Sequence, residues 1–289
     1  MDPPSPALFV QHADAWVCVL SRASPRTVAR LACVCRCFCS LSERLAALDV
    51  ACGTEDVLLL APSVEEAAKL RRTFTYARTS SGEEEGESGS GCNCASNGAC
   101  SGDCTCAAAQ LECGPGCGCA RDCRHRETQR PLSWPLSLQR HVRRGWGVFA
   151  ETAVPMGAFV CSYSGEVIGV EEARRRLAEQ DACGKDNYIL VLREHFSGGL
   201  TILTCVDPTR VGNVGRFLNH SCDEGNLELR VVRSSGCALP RAAFYARRQL
   251  RAGEELTYAY GLPAPACPSR KRCFCGTATC LGALPQDDV

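Results

Sequence analysis

The sequence predicts a mainly β protein with a minority of helix, its strands flanked on both sides by cysteine-built metal segments. Three observations lead there. From Val142 to Gly261, short apolar runs alternate with turns of Gly, Pro, Asn and Asp, the pattern of short strands. From Cys92 to Cys123, nine cysteines fall in a stretch whose one large apolar residue is Leu111. Near the C-terminus, Cys273, Cys275 and Cys280 recur at short spacing.

The totals narrow the class. The chain has 289 residues, with 32 Lys and Arg against 32 Asp and Glu, so its formal net charge is zero. That length suits two domains, or one domain with a small appendage. Zero bulk charge predicts no direct nucleic-acid binding, and only local acidic patches would draw in a basic tail. The longest strongly apolar run, about Val57 to Ala61, is far short of a membrane span or a signal sequence. A soluble, intracellular protein with no membrane partner is the expectation. Twenty-four cysteines would indicate disulfides in a secreted chain. Here there is no secretion signal, and many cysteines form Cys-x-Cys pairs, which suit zinc chelation by neighbouring thiolates.

In order along the chain, Met1 to Pro6 is proline-rich and expected to be disordered. From Ala15 the pattern is helical. Ser24-Pro25 reads as an N-cap with proline at the first helical position. Val28, Leu31, Ala32, Cys35, Phe38 and Leu41 then recur mostly at three- and four-residue steps. Cys33, Cys35, Cys37 and Cys39 alternate, which on a helix turns them to different faces, so they read as small core residues. Val57 to Leu60 reads as a short strand. Ser63 to Phe74 reads as a helix, with Ser63 as cap and Glu66 at the capping-box position. Ser80 to Gly91 contains only Ser, Gly and Glu and reads as a flexible linker and domain boundary. Beyond the cysteine block, strands are expected at Phe159-Val160-Cys161, Tyr188 to Leu192, Leu200 to Val206, Leu227 to Val232 and Ala242 to Ala246, with a helix at Glu171 to Gln180. Cys161, Cys183, Cys205, Cys237 and Cys267 have no partner pattern and read as buried small residues.

The stretch Gly215-Arg216-Phe217-Leu218-Asn219-His220-Ser221-Cys222 combines a basic residue, an amide, an imidazole and a thiol. Upstream stand Arg144-Gly145-Trp146-Gly147 and Tyr163-Ser164-Gly165-Glu166. Downstream stand Gly253-Glu254-Glu255-Leu256-Thr257-Tyr258-Ala259-Tyr260-Gly261, then Cys273-Phe274-Cys275-Gly276 and Cys280. In that order and at those intervals, these motifs resemble the SET-domain lysine methyltransferases, over roughly Gly91 to Pro285. The resemblance is to the branch with a cysteine-rich pre-SET region and a cysteine-bearing post-SET tail, the heterochromatin-type histone H3 methyltransferases. Val206-Asp207-Pro208-Thr209 and the run through Cys222 are similar to the SET part of the mariner-transposase fusion methyltransferases. Phe74-Thr75-Tyr76 resembles the aromatic pair that leads into a pre-SET region. Trp16 to Leu48 resembles an F-box, which implies the Skp adaptor of cullin-type ubiquitin ligases as a partner. An ordinary amphipathic helical hairpin is the alternative there.

The resemblance implies a β-rich SET fold with a pseudoknot, flanked by a zinc-cluster pre-SET region, a zinc-bearing post-SET tail and a small N-terminal helical module. The implied division is an F-box-like module at 1–55, a connecting segment at 56–91, the pre-SET cluster at 92–126, the SET domain at 140–261 and the post-SET site at 267–285. The family builds a triangular three-zinc cluster in the pre-SET region. Three tetrahedral zincs need twelve ligand positions. Cys92, Cys94, Cys100, Cys104, Cys106, Cys113, Cys117, Cys119 and Cys123 supply them if three thiolates bridge. Zinc then replaces a hydrophobic core, and closure of every position by sulfur makes its role structural. Cys222, Cys273, Cys275 and Cys280 make a fourth, closed site that clamps the tail beside Asn219-His220. His125 departs from the family, which commonly has asparagine there.

The implied cofactor is S-adenosylmethionine, held by Arg144, Gly145, Trp146, Tyr188, Arg216, Asn219 and His220. Glycines flanking Trp146 let the backbone approach it closely, and Trp146 offers a flat apolar surface. Arg216 reads equally as a structural residue. Tyr260, Tyr258 and His220 are the implied catalytic residues. A neutral lysine amine attacks the sulfonium methyl, so positioning supplies most of the rate. A lysine of pKa near ~10.4 must first lose its proton, which costs about 4 kcal/mol at about pH 7.4. Tyr258 implies a switch that keeps products at mono- and dimethyl-lysine, and Ala259 departs from the aspartate or asparagine frequent in the family. The implied substrate is a histone H3 tail in nuclear chromatin. The competing class is a non-enzymatic F-box adaptor whose SET part only binds targets.

Overall fold

The computed structural model describes residues 57–60, 69–70, 74–81, 91–92, 94, 100, 104–261 and 271–285. The F-box-like stretch with its alternating cysteines, residues 82–90 of the expected linker, and Cys267 lie outside them. In chain order the first strands are β1 (Val57–Leu60), β2 (Thr75–Tyr76), β3 (Leu136–His141), β4 (Gly145–Ala150), β5 (Phe159–Tyr163) and β6 (Glu166–Ile168). Then follow β7 (Leu190–His195), β8 (Thr201–Asp207), β9 (Val211–Gly212), β10 (Asn219–His220), β11 (Leu227–Val232), β12 (Arg241–Ala246) and β13 (Glu255–Tyr258). Helix α1 (Thr105–Ala108) lies in the cysteine block and α2 (Val170–Ala182) between β6 and β7. The described chain is mainly β, as expected.

The largest sheet runs β1-β3-β4-β13-β10. Leu136 and Leu138 on β3, Val148 and Ala150 on β4, and Leu256 on β13 are fully buried. Their period of two puts one face of each strand in the core. β13 pairs antiparallel with β4 through Glu255↔Phe149 and Leu256↔Val148, and parallel with β10 through Asn219↔Thr257 and His220↔Tyr258. The chain after β10 is fastened to the same strand. Ser221 N–H donates to Tyr258 O and Asn226 N–H to Thr257 O, both at 3.0 Å. The Asn226 side chain donates to Glu255 O at 2.8 Å and accepts from Thr257 N–H at 2.9 Å. The late strand β13 is thereby held between β4 and residues 219–226, the crossing on which the expected pseudoknot rests.

The other sheets are β11-β12-β5, β6-β8-β7 and the pair β2-β9. β12 is buried along its whole length because it is the middle strand and its alanines let the flanking layers approach. Helix α2 begins with Glu171 and Glu172 against its positive end. It buries Ala173 against Ile189, Val191 and Cys205. Arg176 then reaches across to Asp207 on β8 at 2.7 Å.

Four expectations need correction. The helix expected to reach Phe74 does not: Lys69 and Leu70 are helical, whereas Phe74 is a buried, non-helical residue leading into β2, which pairs with β9. The start of the expected linker is docked, since Ser80 Oγ accepts from Gly165 N–H at 3.2 Å and Ser81 Oγ from Val167 N–H at 3.0 Å. The serine hydroxyls there satisfy backbone donors, the buried Gly165 N–H among them. Tyr188 lies ahead of β7 rather than on it. Cys161, Cys205 and Cys237 are buried as expected, but Cys183 caps the C-terminal end of α2 and is exposed.

Candidate active site and metal centres

In the cysteine block, thiols take the place of a core. Cys92, Cys100, Cys104, Cys106, Cys113, Cys117, Cys119 and Cys123 are buried and cluster together, with Cys94 packed against them. Three sulfurs form a triangle: Cys92 to Cys100 at 3.7 Å, Cys92 to Cys113 at 3.9 Å and Cys100 to Cys113 at 3.6 Å. Each of three overlapping sets has its sulfurs within 4.8 Å of one another: Cys92/94/100/104, Cys92/106/113/117 and Cys92/100/113/119. Such sets could hold metal ions, and the triangle residues recur among them. Cys104 Sγ accepts from Ala107 N–H at 3.4 Å; that bond outweighs burial and lowers the thiol's pKa. Buried Arg126 donates to Cys119 Sγ at 3.7 Å. Glu112 ties the block to the SET sheets. Its carboxylate accepts from Thr128 N–H at 2.7 Å and Gln129 Nε2 at 2.9 Å, and lies 3.7 Å from Arg241 on β12.

Cys222, Cys273, Cys275 and Cys280 form a second tetrad with sulfurs within 4.8 Å of one another. Burial alone would raise the Cys275 thiol, but hydrogen bonds from the Thr277 hydroxyl and backbone outweigh it and bring the pKa down to about 6. A thiolate is the form that binds a metal. Lys271 Nζ meets Asp186 at 2.9 Å, joining the tail to the loop ahead of β7.

Between these elements lies a cavity of about 950 Å³, lined by Arg144, Gly145, Trp146, Tyr188, Arg216, Asn219, His220, Tyr258 and Tyr260 among others. Every cofactor and catalytic candidate from the sequence therefore meets at one cavity, and Cys273, Phe274 and Cys275 supply part of its wall. The β3–β4 hairpin presents Trp146; Asn219 Nδ2 donates to its carbonyl at 3.2 Å and to Glu255 Oε1 at 2.9 Å. Glu255 also pairs with Arg144 at 2.6 Å. A Cβ at Gly147 would come within 2.8 Å of Glu255 Oε1 and 3.0 Å of Asn219 Nδ2, so a side chain there would displace the Glu255–Asn219 contact.

His220 connects cavity to metal tetrad. Tyr260 N–H donates to its Nδ1 at 3.1 Å, so Nδ1 is bare and Nε2–H points to Cys222 Sγ at 3.1 Å. Burial lowers the imidazole's pKa, in keeping with a neutral ring. Tyr260 donates its hydroxyl to Leu218 O. Tyr163 donates to Tyr188 O at 2.5 Å. Burial pushes the pKa of both hydroxyls well above the ordinary tyrosine value. Rings run in contact from Tyr163 through Phe244, Tyr258 and Tyr260 to His220, with centroids 4.6–6.3 Å apart. β13 ends at Tyr258, and the Tyr258 and Tyr260 rings meet at 4.8 Å across the strand's end.

Sequence reasoning assigned no role to Glu255, Tyr163 or Asn226. Glu255 and Tyr163 sat inside quoted motifs, so the signal was present but unattributed. Asn226 had no local signal, since its partners lie on β13.

A family model described as the SET domain matches residues 145–261. The chain is 42% identical over 186 residues to the histone-lysine N-methyltransferase SUVR3 of Arabidopsis thaliana, covering 62% of this chain and 52% of that protein. It is 41% identical over 181 residues to the probable histone-lysine N-methyltransferase set-23 of Caenorhabditis elegans, covering 61% of this chain and 72% of that protein. The chain thus spans little more than half the length of the first of these relatives. Among solved structures, the methyltransferase domain of human SETMAR superposes with a TM-score of 0.66 at 31% identity, covering 83% of this chain and 98% of that one. KRYPTONITE, solved with mCHH DNA, an H3(1-15) peptide and SAH, gives 0.60 at 26% identity, covering 79% of this chain and 51% of that one. With its strands, cavity and cysteine clusters in that arrangement, the chain belongs to the SET-domain family.

Proposed function

We propose that this protein is an S-adenosylmethionine-dependent protein-lysine N-methyltransferase of nuclear chromatin that acts on a histone H3 tail. The observation that carries the reading is the meeting of Trp146, Tyr188, Arg216, Asn219, His220, Tyr258 and Tyr260 on one cavity. The names of SUVR3 and set-23, and the H3 peptide and SAH in the KRYPTONITE structure, support it.

The residues fit the cofactor. Trp146 and Tyr188 offer flat faces, Asn219 and His220 offer polar edges, and Arg144 is held in place by Glu255. S-adenosylmethionine, when bound, supplies an electrophilic methyl group. The chain supplies position and dryness. The aromatic wall around Tyr258 and Tyr260 desolvates the incoming lysine and favours its neutral form. Both Tyr163 and Tyr260 hydroxyls are donated to backbone carbonyls and stay protonated, so neither accepts the lysine's proton. The amine is therefore deprotonated before attack, and kcat/KM should rise about tenfold per pH unit between about pH 7 and 9. Tyr260 adds no falling limb in that window.

Zinc fits both cysteine sites. Cys92, Cys94, Cys100, Cys104, Cys106, Cys113, Cys117, Cys119 and Cys123 would hold three zincs between them, the Cys92, Cys100 and Cys113 sulfur triangle recurring among the candidate sets. Nine thiolates would outnumber the charge of three dications, and buried Arg126 would offset part of the excess. Cys222, Cys273, Cys275 and Cys280 would hold a fourth.

The test is transfer of radiolabelled methyl from S-adenosylmethionine to a panel of histone peptides. Labelling of an H3 peptide that is lost when its lysine is replaced by arginine supports the reading. No labelling of any lysine-bearing substrate by zinc-replete protein overturns it.

A further inference from the structure

Phe74 reaches the catalytic region from the other side of the cysteine block. Its backbone is fixed by strand pairing just beyond it, where Thr75 meets Val211 and Tyr76 meets Gly212. Thr75 N–H donates to Arg210 O at 2.8 Å, and Ser164 Oγ donates to Arg78 O at 2.7 Å further along. The ring itself is buried and meets Phe217 edge-on at 5.5 Å.

What that ring holds is Arg216. The guanidinium carbon lies 4.5 Å from the Phe74 centroid, 4.2 Å from that of Tyr188 and 5.1 Å from that of Phe217. Nη1 donates to Thr209 O at 3.1 Å, while Nε is buried with no hydrogen-bond partner among the described residues. That backbone hydrogen bond anchors one nitrogen of the planar fork, and ring faces surround the rest. Three aromatic rings attract the cation through their electron-rich faces from within 5.1 Å. Arg216 and Tyr188 line the cavity, whereas Phe74 stands behind them.

We propose that Phe74 is a positioning residue for the cofactor end of the cavity. Its ring holds the Arg216 guanidinium against Tyr188, so the segment ahead of the cysteine block is part of the active site rather than a connector. The inference rests on the methyltransferase reading. It explains why residues 74–81 are fastened along β9, the β5–β6 turn and β6 instead of passing freely to the cysteine block. It also gives Arg216, which reads from sequence equally as structural or cofactor-binding, both roles at once.

The experiment is calorimetric titration of the full zinc-loaded chain with S-adenosylhomocysteine. Phe74→Leu keeps apolar bulk and removes the ring face, and is expected to weaken binding about tenfold. A fluorinated series at position 74, made by incorporating mono-, di- and pentafluorophenylalanine, nearly keeps the ring's shape while draining electron density from its face. Affinity should fall stepwise with fluorine number while the melting temperature holds, a pattern that a purely structural role does not produce. The series also remains readable if Phe74→Leu folds poorly. Unchanged affinity across the fluorinated series, with the unaltered chain binding normally, overturns the inference and leaves the methyltransferase reading intact. Failure of the unaltered chain to bind overturns the cofactor reading and this inference together.

Discussion

Between Cys104 and Cys123 the buried side chains are mainly thiols; between Leu136 and Leu256 they are mainly leucine, valine, alanine and aromatic rings. Both regions reach full burial, but from different materials. A thiol cluster without metal has little apolar area to keep it closed, so its binding energy for metal is also its folding energy. The SET strands bury Leu136, Leu138, Val148, Phe244 and Leu256 completely and need no ion to do so. The C-terminal tetrad lies between these extremes. It borrows Cys222 from the strand region, and its remaining three thiols sit on a tail that walls the cavity. Removing metal should therefore have different consequences in the three places.

Chelation with a strong zinc ligand is the harshest way to separate them. Hydrogen exchange should collapse to unprotected rates across 104–126 while β3, β4 and β12 stay protected, and methyl transfer should vanish. Uniform loss of protection along the chain would erase the distinction. Next in size is Tyr260→Phe, which removes the hydroxyl bond to Leu218 O on the cavity wall. A fall in kcat of about a hundredfold is expected, the scale for loss of one pre-positioned donor. A small change would show that the hydroxyl is a bystander. Glu255→Gln keeps an acceptor for Asn219 but discharges the partner of Arg144. Cofactor KM should rise about tenfold, the scale of a charged hydrogen bond worth about 1.5 kcal/mol, with peptide KM unchanged. Tyr258→Phe should be gentlest on rate. A water released beside the amine is worth about 0–2 kcal/mol, enough to move products toward di- and trimethyl-lysine. Time-resolved mass spectrometry of a methylated peptide reads this directly, and an unchanged distribution in an active variant removes Tyr258 as the switch.

The cysteine clusters were legible because spacing of the chelating kind is written in the chain: Cys92–Cys94, Cys104–Cys106 and Cys273–Cys275 announce themselves. The triangle of Cys92, Cys100 and Cys113 sulfurs was not legible, since it is a fact of three dimensions. Strand positions followed from apolar runs, with ends displaced by a few residues, as at Tyr188. The cavity was legible through resemblance; periodicity alone would not have joined Trp146 to Asn219 across 73 residues. Phe74 and Ser80 were misjudged for a common reason. Short polar and aromatic segments with no period of their own take structure from the surface they dock on, and that surface is distant in sequence.

Replacing Cys280 with serine asks whether the tail's metal site is part of the catalytic wall. Cys280 belongs to the tail tetrad and to none of the sets in the cysteine block. Zinc per chain should drop from about four to about three, the main melting transition should persist, and methyl transfer to a histone H3 peptide should fall below detection. A Cys280→Ser chain that loses one zinc yet transfers methyl at the unaltered rate would contradict the account.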